Sequence, residues 1–108
     1  MATGRLGTPT QLAATTDTVC YTVPTGNYAV FNVSMTNVST SSVTVRLAMA
    51  STSSPAGAEW IEYDTVIIGK GVFERTGIVL DAGKNVVAWA SAGSAINVNI
   101  FGIETSTT

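Results

Sequence analysis

The strongest pattern in the chain is an alternation of apolar and polar side chains with a period of two residues. It is clearest from Ser42 to Met49, where one face carries apolar side chains and the other polar ones: Val43, Val45, Leu47 and Met49 against Ser42, Thr44 and Arg46. Successive side chains of a strand point to opposite sides of a sheet, so this spacing indicates half-buried β-strand. Similar segments follow along most of the chain, and no window keeps the spacing of an amphipathic helix. We therefore predict an all-β protein.

Turn residues divide the chain into about seven or eight short strands. The predicted strands cover residues 17–23, 28–37, 42–50, 60–68, 72–80 and 85–91, and a last one begins at residue 96. This spacing is typical of a sandwich or a small barrel. We expect a single-domain antiparallel β-sandwich, jelly-roll-like, over residues 15–104. An N-terminal arm or edge strand would occupy residues 1–14, since Pro9 excludes a central strand there, and residues 105–108 would form a flexible tail.

Composition leaves little room for catalysis. The chain has no histidine, a single cysteine and only 11% charged residues. Nucleophilic catalysis usually needs a histidine base, and zinc needs several Cys or His ligands. We therefore expect a protein that is not an enzyme and has no metal or cofactor. Cys20 is expected to be a small buried apolar residue, and its lack of a partner favours assembly in a reducing compartment.

Charge and hydropathy argue against nucleic acid and membrane as partners. The five Lys and Arg residues are scattered and the formal net charge is −2, whereas nucleic-acid binding usually requires clustered basic side chains. No apolar run approaches the ~20 residues of a membrane helix, and the first 15 residues lack the pattern of a secretion signal.

Contact surfaces give stronger signals. A mean hydropathy of +0.34 combined with few charges is typical of a subunit covered by neighbours. In the last strand, Phe101 and Ile103 should share the face of two asparagines, which indicates either burial on both faces or an intersubunit patch. In the strand from Trp60, the residues Glu62 and Asp64 should share one face with that tryptophan and lie opposite Tyr63. The subunit-contact candidates are Arg5, Leu6, Leu12, Trp60, Glu62, Asp64, Phe101 and Ile103.

Five segments in order resemble small virion structural proteins of tailed bacteriophages. They are YTVPTG from Tyr21, VTVRLA from Val43, WIEYD from Trp60, FERTGIVL from Phe73 and AGKNV from Ala82. The resemblance spans roughly residues 5 to 104. It implies a non-enzymatic β-sandwich subunit of the particle, and it transfers no active residues.

The function expected from this resemblance is that of a capsid decoration or cement protein. Its partners would be other copies of itself, with a trimer as the expected oligomer, and the major capsid or tail proteins. Its location would be the virion, assembled in the host cytoplasm. Two alternatives stay open: a tail-fibre, tail-tip or baseplate component, and a carbohydrate-binding module for host recognition. The aromatic residues available for the latter are two tryptophans, Trp60 and Trp89, and three tyrosines.

Overall fold

A computed structural model describes residues 3–107 of the chain, and within this range the regular structure is almost entirely β-strand. One short 3₁₀ turn, Gly57–Glu59, precedes the sixth strand. The strands are β1 (Thr3–Arg5), β2 (Thr10–Gln11), β3 (Thr18–Thr22), β4 (Asn27–Asn37), β5 (Val43–Ala50), β6 (Trp60–Ile67), β7 (Val72–Leu80), β8 (Asn85–Ala90) and β9 (Ile96–Ser106).

The strands form two antiparallel sheets that pack face to face. Sheet A has the order β1-β9-β4-β7, with β2 also paired to β9, and sheet B has the order β3-β8-β5-β6. Because β1 and β2 pair with successive parts of β9, they act as one interrupted edge strand. Each sheet then has four strand positions, and the chain passes from one sheet to the other at most connections. This order is that of a double Greek key, or jelly roll, and it confirms the predicted antiparallel β-sandwich.

The core lies between the sheets and follows the predicted alternation. In β4, the side chains of Ala29, Phe31, Val33 and Met35 are buried, while the residues between them face outward. Leu47 of sheet B and Ile96 of sheet A are also fully buried in the same core. Since β4 is paired on one side with β9 and on the other with β7, its inward row lies at the centre of the domain.

The N-terminal segment is an edge strand of this same domain. The backbone N–H groups of Leu6 and Leu12 donate to Ile100 O and Ile96 O of β9, both over 2.9 Å. Both leucine side chains are only 1% exposed, and burying each stabilises the fold by roughly 1.5–3 kcal/mol. Leu6 and Leu12 were predicted as subunit contacts. That prediction is wrong, because they complete the core of their own chain. Residues 1 and 2 of the predicted arm lie outside the described residues.

The C-terminal residues also belong to the sheet. Thr105 and Ser106 extend β9 and pair with the first two residues of β4, and the N–H of Thr107 donates to Gly26 O over 2.9 Å. The predicted flexible tail is therefore not observed for residues 105–107, because β4 begins early enough to offer them a backbone partner. Thr108 lies outside the described residues.

Candidate interaction surfaces

Strand β6 departs from regular alternation because two register shifts separate it from β5. Val45 pairs with Thr65, but Leu47 pairs with Glu62, so Tyr63 and Asp64 together oppose the single residue Arg46. Asp64 has φ +56°, the left-handed conformation that side chains other than glycine rarely adopt. A two-against-one arrangement of this kind is a β-bulge, which redirects side chains. Tyr63 consequently faces solvent on the same side as Asp64, whereas the sequence predicted that the two lie on opposite faces.

The bulge also separates the two acidic contact candidates. Glu62 points toward the gap between the sheets, where its carboxylate accepts from Arg75 Nη1 of β7 and from Thr65 Oγ1, the latter over 2.8 Å. Asp64 lies on the outer face of sheet B. The prediction that Glu62 and Asp64 share a face is therefore wrong. The Glu62–Arg75 ion pair joins the edge strands of the two sheets, where charged groups also oppose edge-to-edge pairing with other chains.

An arginine stacked between two aromatic rings dominates the outer face of sheet B. The guanidinium carbon of Arg46 lies 4.0 Å from the ring centroid of Tyr63 and 4.0 Å from that of Trp89. Arg46 Nε donates to Asp64 Oδ1 over 2.6 Å, and this hydrogen bond raises the pKa of Arg46. Cations over ring faces are attracted by the ring quadrupole. We refer to Arg46, Tyr63, Asp64 and Trp89 as the arginine–aromatic cluster.

Trp60 borders this cluster, but its ring packs mostly against its own domain. Its ring meets that of Tyr63 edge to face, with centroids 5.7 Å apart. Trp60 also packs over Ala48, Ala50 and Val87, which are fully buried in a small second core. Trp60 thus covers apolar surface of its own sheet and presents only part of its ring to a partner.

The loop before Trp60 is closed by Glu59. Its carboxylate accepts from the N–H of Ala56 over 2.9 Å and from the N–H of Ser51 over 3.0 Å. These backbone hydrogen bonds, that of Ala56 first, lower the pKa of Glu59. They hold the loop of residues 51–59 in place beside Trp60.

A second surface lies on the outer face of sheet A. Ile103 of β9 stands opposite Val30 of β4, and Val30 stands opposite Val79 of β7. Phe101 lies on the same face as Ile103, and the guanidinium of Arg5 is 6.0 Å from its ring centroid. Val79, Phe101 and Ile103 are 66%, 42% and 46% exposed. We refer to Val30, Val79, Phe101 and Ile103 as the apolar row. The prediction that Phe101 and Ile103 face away from the core is confirmed, and burial on both faces is not observed.

The other titratable side chains inside the domain have structural roles. Burial raises the pKa of the Cys20 thiol to about 12. The hydroxyl of Tyr21 donates to Glu104 of the opposite sheet, and burial together with this hydrogen bond raises the pKa of Tyr21. A pocket of about 220 Å³ lies beside β2 and is lined mainly by neutral polar side chains, among them Gln11, Asn97 and Asn99.

Within residues 3–107 the structure contains neither a metal-ligating cluster nor a membrane-spanning helix. No group of three or more His, Cys, Asp or Glu side chains is placed to hold a metal ion. No helix in that range is long and apolar enough to cross a membrane.

The fold and these surfaces define the protein as a jelly-roll β-sandwich with two distinct outer faces, one apolar and one carrying the arginine–aromatic cluster. Comparison of the chain with models of protein families, with curated proteins and with solved structures gives no match in any of the three.

Proposed function

We propose that this protein is a non-enzymatic structural subunit of a tailed-bacteriophage particle, specifically a capsid decoration or cement protein that stabilises the head. Its proposed partners are other copies of itself, as a trimer, and the major capsid protein, and its proposed location is the virion assembled in the host cytoplasm. The five-segment resemblance to phage virion proteins supports the class, and jelly rolls are common in viral capsid domains.

The apolar row is the observation that carries the proposal. Its residues lie side by side on three neighbouring strands, so they form one continuous strip rather than scattered exposed side chains. Contiguous apolar surface rimmed by polar residues is typical of protein–protein contact sites. Arg5 at its margin adds a cation that is already held by Phe101.

Because the capsid lattice repeats, a modest affinity at each single contact is sufficient for stable attachment. Covering the exposed part of a large apolar side chain contributes on the order of 1 kcal/mol, so the apolar row alone supplies a weak contact. A standard interface removes about 1,600 Å² from water, and an oligomer presents several such strips at once. Simultaneous engagement of linked sites raises the overall affinity well above that of one site.

Binding to particles that lack the protein tests this role. We expect the wild-type chain to bind such particles and to raise their resistance to heat. The double variant Phe101→Ser/Ile103→Ser should bind at least tenfold more weakly. The matched control is Val66→Ser/Ile68→Ser, which removes side chains that are 60% and 67% exposed but lie outside the apolar row.

The control variant should bind like wild type. Equal binding by the Phe101→Ser/Ile103→Ser variant would contradict the assignment of the contact to the apolar row. Equal heat resistance of particles with and without the bound protein would rule out the cement role.

A further inference from the structure

We propose that the arginine–aromatic cluster on the outer face of sheet B is a binding site for neutral saccharides. This site is separate from the apolar row and lies on the opposite sheet, so it adds a recognition function to a structural subunit. The proposal rests on an exposed aromatic ring, a polar rim beside it and a backbone irregularity that brings the two together.

Tyr63 supplies the stacking surface. Its side chain is 58% exposed, although Arg46 lies over one face of the ring at 4.0 Å and Trp60 meets the ring edge to face. With 58% of its surface exposed, Tyr63 is accessible to a ligand in spite of these two contacts. The face of an aromatic ring carries partial negative charge, and it suits the weakly positive C–H groups on one side of a pyranose ring. The contacts with Arg46 and Trp60 fix the ring orientation, so little side-chain entropy is lost on binding.

The rim of the cluster offers hydrogen-bond partners for hydroxyl groups. Asp64 accepts from Arg46 through Oδ1, and its side chain is 49% exposed. A hydroxyl that donates to a carboxylate forms a charge-assisted hydrogen bond. The side chain of Arg46 is 24% exposed and can donate in turn. A sugar hydroxyl both donates and accepts, so this acid–arginine pair matches it.

The charge balance selects against anionic ligands. Arg46 is ion-paired with Asp64, and Asp17 is close enough to contribute to the raised pKa of the guanidinium. Because Asp64 already neutralises the charge of Arg46, the cluster has little net positive charge with which to attract an anion. Phosphates, sulfated sugars and sialic acids would therefore gain little from this pair, whereas neutral hexoses do not depend on a net charge.

The bulge in β6 is the independent argument for a site. A regular strand would place only one of Tyr63 and Asp64 on the outer face, whereas the bulge puts both opposite Arg46. The bulge also holds Asp64 at φ +56°. Strained residues and bulges are concentrated at binding sites, where they aim side chains. Trp89 is the direct cross-strand partner of Arg46. Stacking of Arg46 on Trp89 would therefore need neither the bulge nor the positive φ of Asp64.

The experiment is a glycan array probed with the full-length protein, followed by titration of the best ligand monitored by NMR. We expect selective binding of neutral glycans, with shifts at the indole N–H of Trp89. Tyr63→Ala should lower the affinity at least tenfold. Tyr28→Ala, which removes a 36% exposed tyrosine from sheet A, should leave the affinity unchanged and is the matched control.

Asp64→Gly gives a second, cleaner variant. Glycine adopts φ +56° without strain, so the bulge and the fold should persist while the carboxylate is lost. We expect this variant to be folded by circular dichroism and to bind at least tenfold more weakly. Binding of sulfated or sialylated glycans alone, an empty array, or undiminished binding by Asp64→Gly or Tyr63→Ala would each overturn the proposal. None of these results bears on attachment to the capsid, which uses the other sheet.

Discussion

Asn37 is the buried polar group on which the closing of the β4–β5 loop depends most. Its side chain is completely buried at the end of β4. Nδ2 donates to Ser41 O over 2.8 Å and to Ile67 O over 3.0 Å. Oδ1 accepts from the N–H and the hydroxyl of Ser39 over 3.0 and 2.7 Å. One amide thus joins the loop to sheet B, and Asn37→Ala removes all of these bonds at once.

The expected loss of stability follows from these contacts. Each hydrogen bond contributes about 1 kcal/mol net, and a buried group left without a partner costs more. Ser39 and Ser41 lie nearer the surface and can bind water in the variant, whereas Ile67 is buried. We therefore expect Asn37→Ala to lower the free energy of unfolding by about 3 kcal/mol, a large share of the roughly 5–15 kcal/mol of an ordinary domain.

Urea unfolding followed by tryptophan fluorescence measures this change. For a slope of about 1.5 kcal/mol/M the midpoint should fall by about 2 M. The control is Asn32→Ala on the exposed face of the same strand, where the side chain accepts from the N–H of Gly77 over 3.1 Å. We expect that variant to lose less than about 1 kcal/mol. A midpoint for Asn37→Ala equal to that of Asn32→Ala would refute the reasoning.

Three further predictions concern single residues. Gly102→Ala should destabilise the fold by at least about 3 kcal/mol in urea unfolding, because the added Cβ would lie 2.1 Å from Val30 O. The control is Gly57→Ala, whose added Cβ would meet no atom within 4 Å and which should be nearly neutral. Cys20, whose pKa burial raises to about 12, should resist a thiol reagent at about pH 8 and react fully only after unfolding; rapid native labelling would contradict its burial. The lowered pKa of Glu59 contributes stability above the unfolded-state pKa and loses it as pH falls through the folded-state pKa. The urea midpoint should therefore drop more steeply between about pH 5 and about pH 3 for wild type than for Glu59→Gln. An equal pH dependence of the midpoint in the two proteins would show that Glu59 does not contribute to this loss of stability.

The sequence predicted the strands well because burial of alternate side chains determines them. The regular row of β4 and the outward position of Phe101 both follow from a period of two and appear as expected. The order of strands in the sheets could not be read in this way, since alternation along one strand does not specify its neighbours.

The candidate site was less predictable from the sequence, since it depends on an irregularity in strand pairing. The bulge in β6 turns Tyr63 outward and separates Glu62 from Asp64, and no local glycine or proline in WIEYD indicates it. Leu6 and Leu12 were predicted to contact other subunits, but a leucine can enter the core of its own chain wherever its backbone pairs with an open sheet edge. The pairing of Arg46 with Trp89 lies in the cross-strand register, which single-chain spacing does not give.

The number of copies of this chain in a purified phage particle tests the central claim most directly. Gel densitometry with the major capsid protein as reference measures it without any variant. A decoration protein repeated over the capsid lattice should be present in hundreds of copies. A few to some tens of copies would indicate a tail component, and absence of the chain from purified particles would contradict a role in the virion.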